Sequence, residues 1–380
     1  MRAKAIPIFL VFLIMGFGDA VGPFVGLAKE TFHLSNTVAQ LIPFVGFLMF
    51  GLLSVPMGIF QDRKGKKTTL LLGLLLAFAG LTIPVFTISS YLLFLVTIVL
   101  LGAGAAILQV AGNPAMHDVS PEGSFSSNLS FAQFIKAIGS LSTAFLPVIF
   151  KKYFNLSWTE VFPVYSITIL LTIVVLLLVH FDEKKNSGSG AASFSSCLSL
   201  LKEPFVLWMV LGIFFYVGAE VSVSSGVPIY LRDRFGIDIQ KSGLAGTGLF
   251  FLALMTGRFL GGIILRIISP AVFLRITSFI SVIGLLGLLI NNSFVSFVSA
   301  IIIGLGFANI FPLIFSIAID RMPNRSNELS GLMVTAILGG ALIPIVMGAV
   351  ADSTSSMIGF IVPLLCIFYI GWLSLNLRKL

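Results

Sequence analysis

The sequence predicts an all-α integral membrane protein of twelve transmembrane helices arranged as two six-helix bundles. Three observations predict it. Of the 380 residues, 57% are hydrophobic and only 10% are charged, with a mean hydropathy of +1.09, whereas a water-soluble domain carries roughly 25% charged residues. The apolar residues recur in blocks of about 20, the length a helix needs to cross a ~30 Å hydrocarbon core. A single long polar, Gly/Ser-rich stretch interrupts the blocks near the middle of the chain and leaves six on each side. A soluble class is excluded on composition alone.

Taken in order, the candidate spans are residues 5–28, 37–60, 68–87, 91–115, 127–150, 161–181, 205–231, 240–266, 269–289, 293–319, 328–350 and 354–376. The first contains Asp19, Gly22 and Pro23. It is longer than a signal-peptide core and is followed by no small-residue cleavage pattern, so it reads as the first membrane helix. An even number of spans places both termini on one side. With the amino terminus inside, fifteen Lys and Arg fall on the inner face and six on the outer, and the positive-inside rule makes both termini cytoplasmic. The formal net charge of +8 is spread in short clusters between apolar blocks, which serves orientation and indicates no nucleic-acid surface.

The two cysteines, Cys197 and Cys366, share no motif spacing, so neither a disulfide framework nor a metal site follows. His33, His117 and His180 fall near span ends and read as interfacial residues, not metal ligands. No cofactor is implied. The bilayer is the expected surround, and the chain is expected to act as a monomer.

The polar stretch runs Phe181-Asp-Glu-Lys-Lys-Asn-Ser-Gly-Ser-Gly-Ala-Ala-Ser193. Its composition is that of a flexible linker. It divides the chain into an N-terminal bundle, residues 1–181, a cytoplasmic linker, residues 182–204, and a C-terminal bundle, residues 205–380. The halves echo each other faintly: an acid in the first helix of each, Asp19 and Glu220, precedes Phe32 and Phe235 by 13 and 15 residues. Such an echo is what a parallel internal repeat would leave.

The second and third spans are joined by Gly58-Ile-Phe-Gln-Asp62-Arg63-Lys-Gly65-Lys66-Lys67. A short turn needs Gly65, and Asp62 at a helix end suits the positive amino terminus of a neighbouring helix or an Arg. Such a contact would form a latch that breaks in each cycle. The alternative is a solvated basic turn that serves topology only, which would leave the Asp and both glycines without a purpose. The segment resembles the signature loop G-x-x-x-D-R-x-G-[KR]-[KR] of the major facilitator superfamily of secondary transporters, and the resemblance implies gating roles for Asp62, Arg63 and Gly65.

Further stretches resemble the fucose-galactose-glucose proton symporter branch. They are Gln109-Val-Ala-Gly-Asn113-Pro114, Asn128-Leu-Ser-Phe-Ala-Gln133-Phe-Ile-Lys136-Ala-Ile-Gly139, Tyr216-Val-Gly-Ala-Glu220 and Gly339-Gly-Ala-Leu-Ile-Pro344-Ile-Val-Met-Gly348. In that branch an acid in the first helix and an acid opening a fourth-helix E-x-x-x-N-P motif form the proton-linked pair. Asp19, four residues before Pro23, fits the first. Gln109 stands in the place of the second, and Lys136 stands where the branch often has Asn.

An ionisable side chain at membrane depth costs several kcal/mol unless paired or hydrated, so each is a candidate site residue. Four qualify: Asp19, Lys136, Glu220 and Arg258. Asp19 is the first expectation for proton coupling and Glu220 the second. A buried ion pair that merely braces two helices is the alternative. Arg258, in Thr256-Gly-Arg-Phe-Leu-Gly-Gly, is expected to brace a gate. Helical spacing puts Gln109 and Asn113 on one face of the fourth span, and Gln133, Lys136 and Ser140 on one face of the fifth. Amides offer donors and acceptors to sugar hydroxyls, and Tyr216, one turn before Glu220, offers a ring face to the C–H side of a pyranose. Gln109, Asn113, Gln133, Lys136, Tyr216, Glu220 and Asn309 are therefore the expected solute-binding set. Hydrogen bonding between helices is nearly as good an account of any single amide. Asn309 and Pro312 suggest a local break that turns backbone toward the cavity.

The functional expectation is a secondary active transporter importing a monosaccharide or related small polar solute by proton symport, through alternating access of the two bundles. Transport of an acidic sugar or organic anion on Lys136, uncoupled facilitation, and a nontransporting solute sensor stand as alternatives. An enzyme would need a nucleophile–base pair or a His and acid cluster at membrane depth, and the sequence offers neither.

Overall fold

The computed structural model describes residues 5–18, 21–34, 38, 41–179, 193–237 and 247–377. Asp19, linker residues 182–192 and the beginning of the eighth expected span lie outside the described residues. Every regular element among the described residues is helical. In chain order these are α1 (Ile6–Phe17), α2 (Val21–Phe32), α3 (Leu41–Lys64), α4 (Lys66–Phe86), α5 (Tyr91–Val119), α6 (Phe125–Phe154), α7 (Val161–Leu178) and a short α8 (Phe194–Leu200). The second half gives α9 (Pro204–Phe235), α10 (Thr247–Ile264), α11 (Pro270–Leu288), α12 (Ser293–Phe307), α13 (Ile310–Arg321), α14 (Ser326–Thr335), α15 (Gly339–Ser353) and α16 (Ile361–Asn376).

Nine helical segments among the described residues are long and apolar enough to cross a membrane. A tenth is α6, bent by 42° between Phe125–Thr143 and Phe145–Phe154; α1 and α10 are shorter apolar helices. Large apolar side chains such as Leu75, Phe86, Phe279, Phe294 and Leu375 are more than half exposed. A water-soluble monomer does not tolerate so much exposed apolar surface. The molecule is a multi-pass membrane protein.

The first span, expected as one helix over residues 5–28, is helical over Ile6–Phe17 and Val21–Phe32, and residues 19–20 lie outside the described residues. Among the described residues two expected spans are interrupted shortly before a proline. The tenth breaks at Ala308–Asn309, four residues before Pro312. The bend in α6 comes just before Pro147, whose missing N–H leaves the carbonyl of Thr143 without its helical donor.

The chain packs as two compact units. The first comprises Met1–Pro121, Ile135–Leu198 and Met322–Thr335; the second comprises Glu122–Phe134, Ser199–Arg321 and Ala336–Leu380. In the first, α5 packs against α4, α3 and α1, while α14 lies on α3 and α5. Glycines set the closest approaches, since helices in a bilayer associate through small residues that let backbones meet. A Cβ on Gly16 of α1 would collide with backbone at Lys136 and Gly139 of α6, and one on Gly58 of α3 would meet Asn327 and Gly331 of α14. Ser330 Oγ donates to the carbonyl of Val110 at 2.7 Å and fixes α14 on α5.

The second unit repeats these crossings. A Cβ on Gly339 would collide with backbone of α9 at Phe214, and Gly218 of α9 faces Ile343 and Gly339. Gly262 of α10 packs on the ring of Phe131, and Ser127 Oγ donates to the Gly262 carbonyl at 2.5 Å. Gly139 and Gly339, Ser127 and Asn327, and Phe131 and Gly331 are each 200 residues apart. Equivalent positions therefore make equivalent contacts in the two units. This is a far stronger sign of duplication than the acid-to-Phe spacing read from the sequence.

Candidate functional site

The glycine turn between α3 and α4 builds the first cluster. Gly65 has φ of +88°, a conformation that costs a side-chain-bearing residue about 1 kcal/mol or more, and it is the residue preceding α4. The turn points the end of α3 at the beginning of α14. There Asn327 Nδ2 donates to Asp62 Oδ1 at 3.0 Å, and Gln61 Nε2 donates to the Asn327 carbonyl at 3.4 Å. Asp62 thus meets the first turn of a helix, where the exposed N–H groups carry partial positive charge. Arg63 is exposed on the last turn of α3.

Two layers of charge flank this contact. Lys66 Nζ lies 2.6 Å from Asp118 Oδ2, with side chains 3% and 1% exposed, joining α4 to the end of α5. Lys67 Nζ donates to the carbonyls of Leu177 and Val179 at 3.1 and 3.0 Å, satisfying acceptors at the end of α7. On the other side, Arg325 donates from Nε and Nη2 to Glu328 at 2.7 and 3.0 Å, and from Nη2 to the Ser196 carbonyl at 3.1 Å. Ser196 Oγ donates to Glu328 at 2.5 Å. The short helix α8 is thereby docked on the start of α14. Its Cys197 is fully buried, and that burial, reinforced by the nearby Glu328 carboxylate, pushes the thiol up to about 11.

The sequence anticipates a helix amino terminus against Asp62 but not which helix, and it does not anticipate Asp118 as the partner of Lys66. Asn327 and Glu328 sit in an ordinary-looking Ser326-Asn-Glu-Leu run. A signal was present in its capping chemistry, polar residues before an apolar run, but nothing in it names α3 as the neighbour.

A second cluster occupies the second unit. Arg258 of α10 is 9% exposed. Its Nη2 lies 3.4 Å from Glu220 Oε1 of α9, its Nε donates to the Ala308 carbonyl at 3.4 Å, and its Nη1 donates to the Gln133 carbonyl at 3.5 Å. Asn309 Nδ2 donates to the Gly257 carbonyl at 2.7 Å. Four expected site residues, Glu220, Arg258, Gln133 and Asn309, are brought together. Tyr216 joins them in a different role from the one expected. It is fully buried, donates its hydroxyl to the Phe307 carbonyl at 2.9 Å and sets its ring edge-on to Phe307. Its ring faces protein and braces α9 on α12. The expectation of a solute-facing ring is corrected accordingly. The break at Asn309 likewise turns its carbonyls toward Tyr216 and Arg258.

In the first unit, Gln109 and Asn113 lie buried on α5 at 3% and 0% exposure. Neither side-chain atom of Asn113 has a hydrogen-bond partner among the described residues. Half-buried Lys136 has its backbone carbonyl against Gly16. Asp19 lies outside the described residues.

Long apolar helices carrying buried charge pairs and amides, with polar contacts between helix ends, define a polytopic membrane protein of the transporter type. The pattern of the Major Facilitator Superfamily matches residues 8–344, and the chain belongs to that superfamily, as the signature loop implied. It is therefore a member of a transporter family and not an enzyme. The chain is 29% identical over 384 residues to the glucose/galactose transporter of Brucella abortus biovar 1 (strain 9-941), covering 96% of this chain and 92% of that one. It is 30% identical over 399 residues to the putative glucose/galactose transporter of Helicobacter pylori (strain J99), covering 96% and 94%. The crystal structure of the E. coli fucose:proton symporter matches with a TM-score of 0.85 over 98% of both chains at 22% identity, a likeness of fold.

Proposed function

We propose that this chain imports a monosaccharide or related small polar solute by proton symport, with two six-helix bundles, residues 1–181 and 205–380, alternating access to a central site. In this reading twelve helices cross a bacterial inner membrane as a monomer, with both termini and the linker of residues 182–204 in the cytoplasm. The sugar specificity is supported by the relatives named glucose/galactose transporter, and the proton by the fold relative named a fucose:proton symporter.

The observation that carries the reading is Asn113. A buried amide left without partners is costly, about 1–3 kcal/mol per unsatisfied group, and α5 holds one that can both donate and accept. Sugar hydroxyls have that same dual character. Gln109, one turn earlier, extends the polar face, and Lys136, Gln133 and Glu220 complete the proposed solute contacts. Asp19 is the proposed proton site. Asp62, Arg63 and Gly65 form the proposed gate. Counterflow in proteoliposomes tests the reading: preloaded unlabelled hexose should drive transient accumulation of labelled hexose, and Asn113→Ala should weaken it tenfold or more. Binding without exchange would instead indicate a sensor.

A further inference from the structure

We infer that Arg258 is a positioning residue that holds Glu220 as its standing counter-charge and, through two backbone carbonyls, ties α9, α10, the α12–α13 break and the start of α6 into one node. The inference rests on the transport reading above, because it assigns Glu220 a place in the solute site and withdraws it from proton carriage.

The break explains why an arginine stands there. In an uninterrupted helix the Ala308 carbonyl would accept from the N–H of residue 312, but Pro312 has none. The helix is indeed interrupted at Ala308–Asn309, and a buried acceptor is left that the protein must satisfy. Arg258 Nε supplies the donor, as the Tyr216 hydroxyl does for Phe307 one residue earlier. A guanidinium carries five N–H donors on a plane and keeps its charge in any protein. One edge can therefore serve the break while the remaining N–H groups reach Glu220 and the Gln133 carbonyl.

The charge then dictates the role of Glu220. A cation only 9% exposed requires a nearby anion, and among the described residues Glu220, with its side chain 19% exposed, lies within ion-pair distance. Protonating Glu220 in each cycle would repeatedly strand Arg258 without its counter-charge. A carrier of the coupled proton has to be a group without that obligation. Two buried amides beside the node, Gln133 and Asn309, each keep one side-chain atom without a partner among the described residues, Nε2 and Oδ1. The elements that Arg258 joins thus carry a fixed carboxylate and two incompletely satisfied amides, the donor and acceptor chemistry that a polyhydroxylated neutral solute can use.

Three variants in proteoliposomes test this: Glu220→Gln, Arg258→Gln and the double variant. Sugar uptake and internal acidification are followed together, and thermal unfolding is measured on the same purified proteins. Glu220→Gln should lose most uptake, tenfold or more, and lower the unfolding temperature, because the guanidinium is left unbalanced. The double variant should recover part of both, with the proton-to-sugar ratio of the native protein. Glu220→Gln that exchanges sugar at the native rate while moving no proton would overturn the inference, as would a double variant whose unfolding temperature falls by the sum of the two single losses. If the native protein moves no sugar, the transport reading fails by itself, and the unfolding measurements still decide whether Arg258 and Glu220 act as one unit.

Discussion

The side-chain amide of Asn327 donates to the carboxylate of Asp62 at 3.0 Å, joining the last turn of α3 to the first turn of α14 where Gly58 and Gly331 let the two backbones meet. A polar contact seated on a glycine crossing can be made and broken without repacking large side chains. Asp62→Asn removes the charge that the start of α14 favours, and Asn327→Leu removes the donor. Each is expected to reduce uptake about tenfold, the size of effect ~1.4 kcal/mol produces, with little change in the amount of folded protein. Uptake rates normalised to protein in the membrane check this.

Cys197 reports on the same region. With its thiol pushed up to about 11 by burial, very little thiolate exists at pH 7.5, and the side chain is fully covered. Maleimide labelling of a Cys366→Ser variant should therefore be slow, and accelerate at least several-fold when Asn327→Leu loosens α14. The raised value also gives a sign for stability. The folded state disfavours the thiolate, so the contribution from Cys197 is fully present below pH 9 and declines as pH rises from there toward 11. Unfolding of Cys197→Ala should lack that alkaline component.

The pair Lys66–Asp118 is buried on both sides. Removing one partner leaves an uncompensated charge, whereas removing both leaves an apolar site. Asp118→Asn is therefore expected to destabilise by roughly 3–5 kcal/mol, and Lys66→Met with Asp118→Leu by much less. Thermal unfolding of the purified proteins distinguishes the two.

Gly139 and Gly339 occupy equivalent crossings, each closed against backbone of the opposing helix. Backbone does not yield as a flexible side chain does. Substituting either with Leu should abolish most folded protein, while Gly371→Leu, in open space on α16, should be tolerated. Monodispersity after solubilisation reads the difference.

Fold and site were unequally legible in the sequence. Helix content and the membrane class followed from hydropathy, because apolar length is a one-dimensional property. Asn309 and Pro312 marked one interruption, but not which acceptors would be stranded or which donors would serve them, and the bend before Pro147 was not read inside the fifth span. The intramembrane charges Glu220 and Arg258 were recognisable singly as expensive residues. Their pairing was not, since 38 residues and a helix turn separate them and no periodicity links one helix face to another. Tyr216 was misread for a related reason: an aromatic with a hydroxyl suits a sugar or a broken helix equally, and only the Phe307 carbonyl decides between them. Asn327 was missed because its own run looks like an ordinary helix start.

The most direct test of the account is proton movement driven by sugar alone. Proteoliposomes containing the native protein and an internal pH-sensitive dye, with no imposed gradient, should show loss of internal protons when glucose, galactose or fucose is added outside only if the protein works as an exchanger. Symport requires the opposite: the interior should acidify as sugar enters, and Asn113→Ala should suppress that acidification. Sugar entry with no change in internal pH, or no entry of any neutral monosaccharide, would contradict the account.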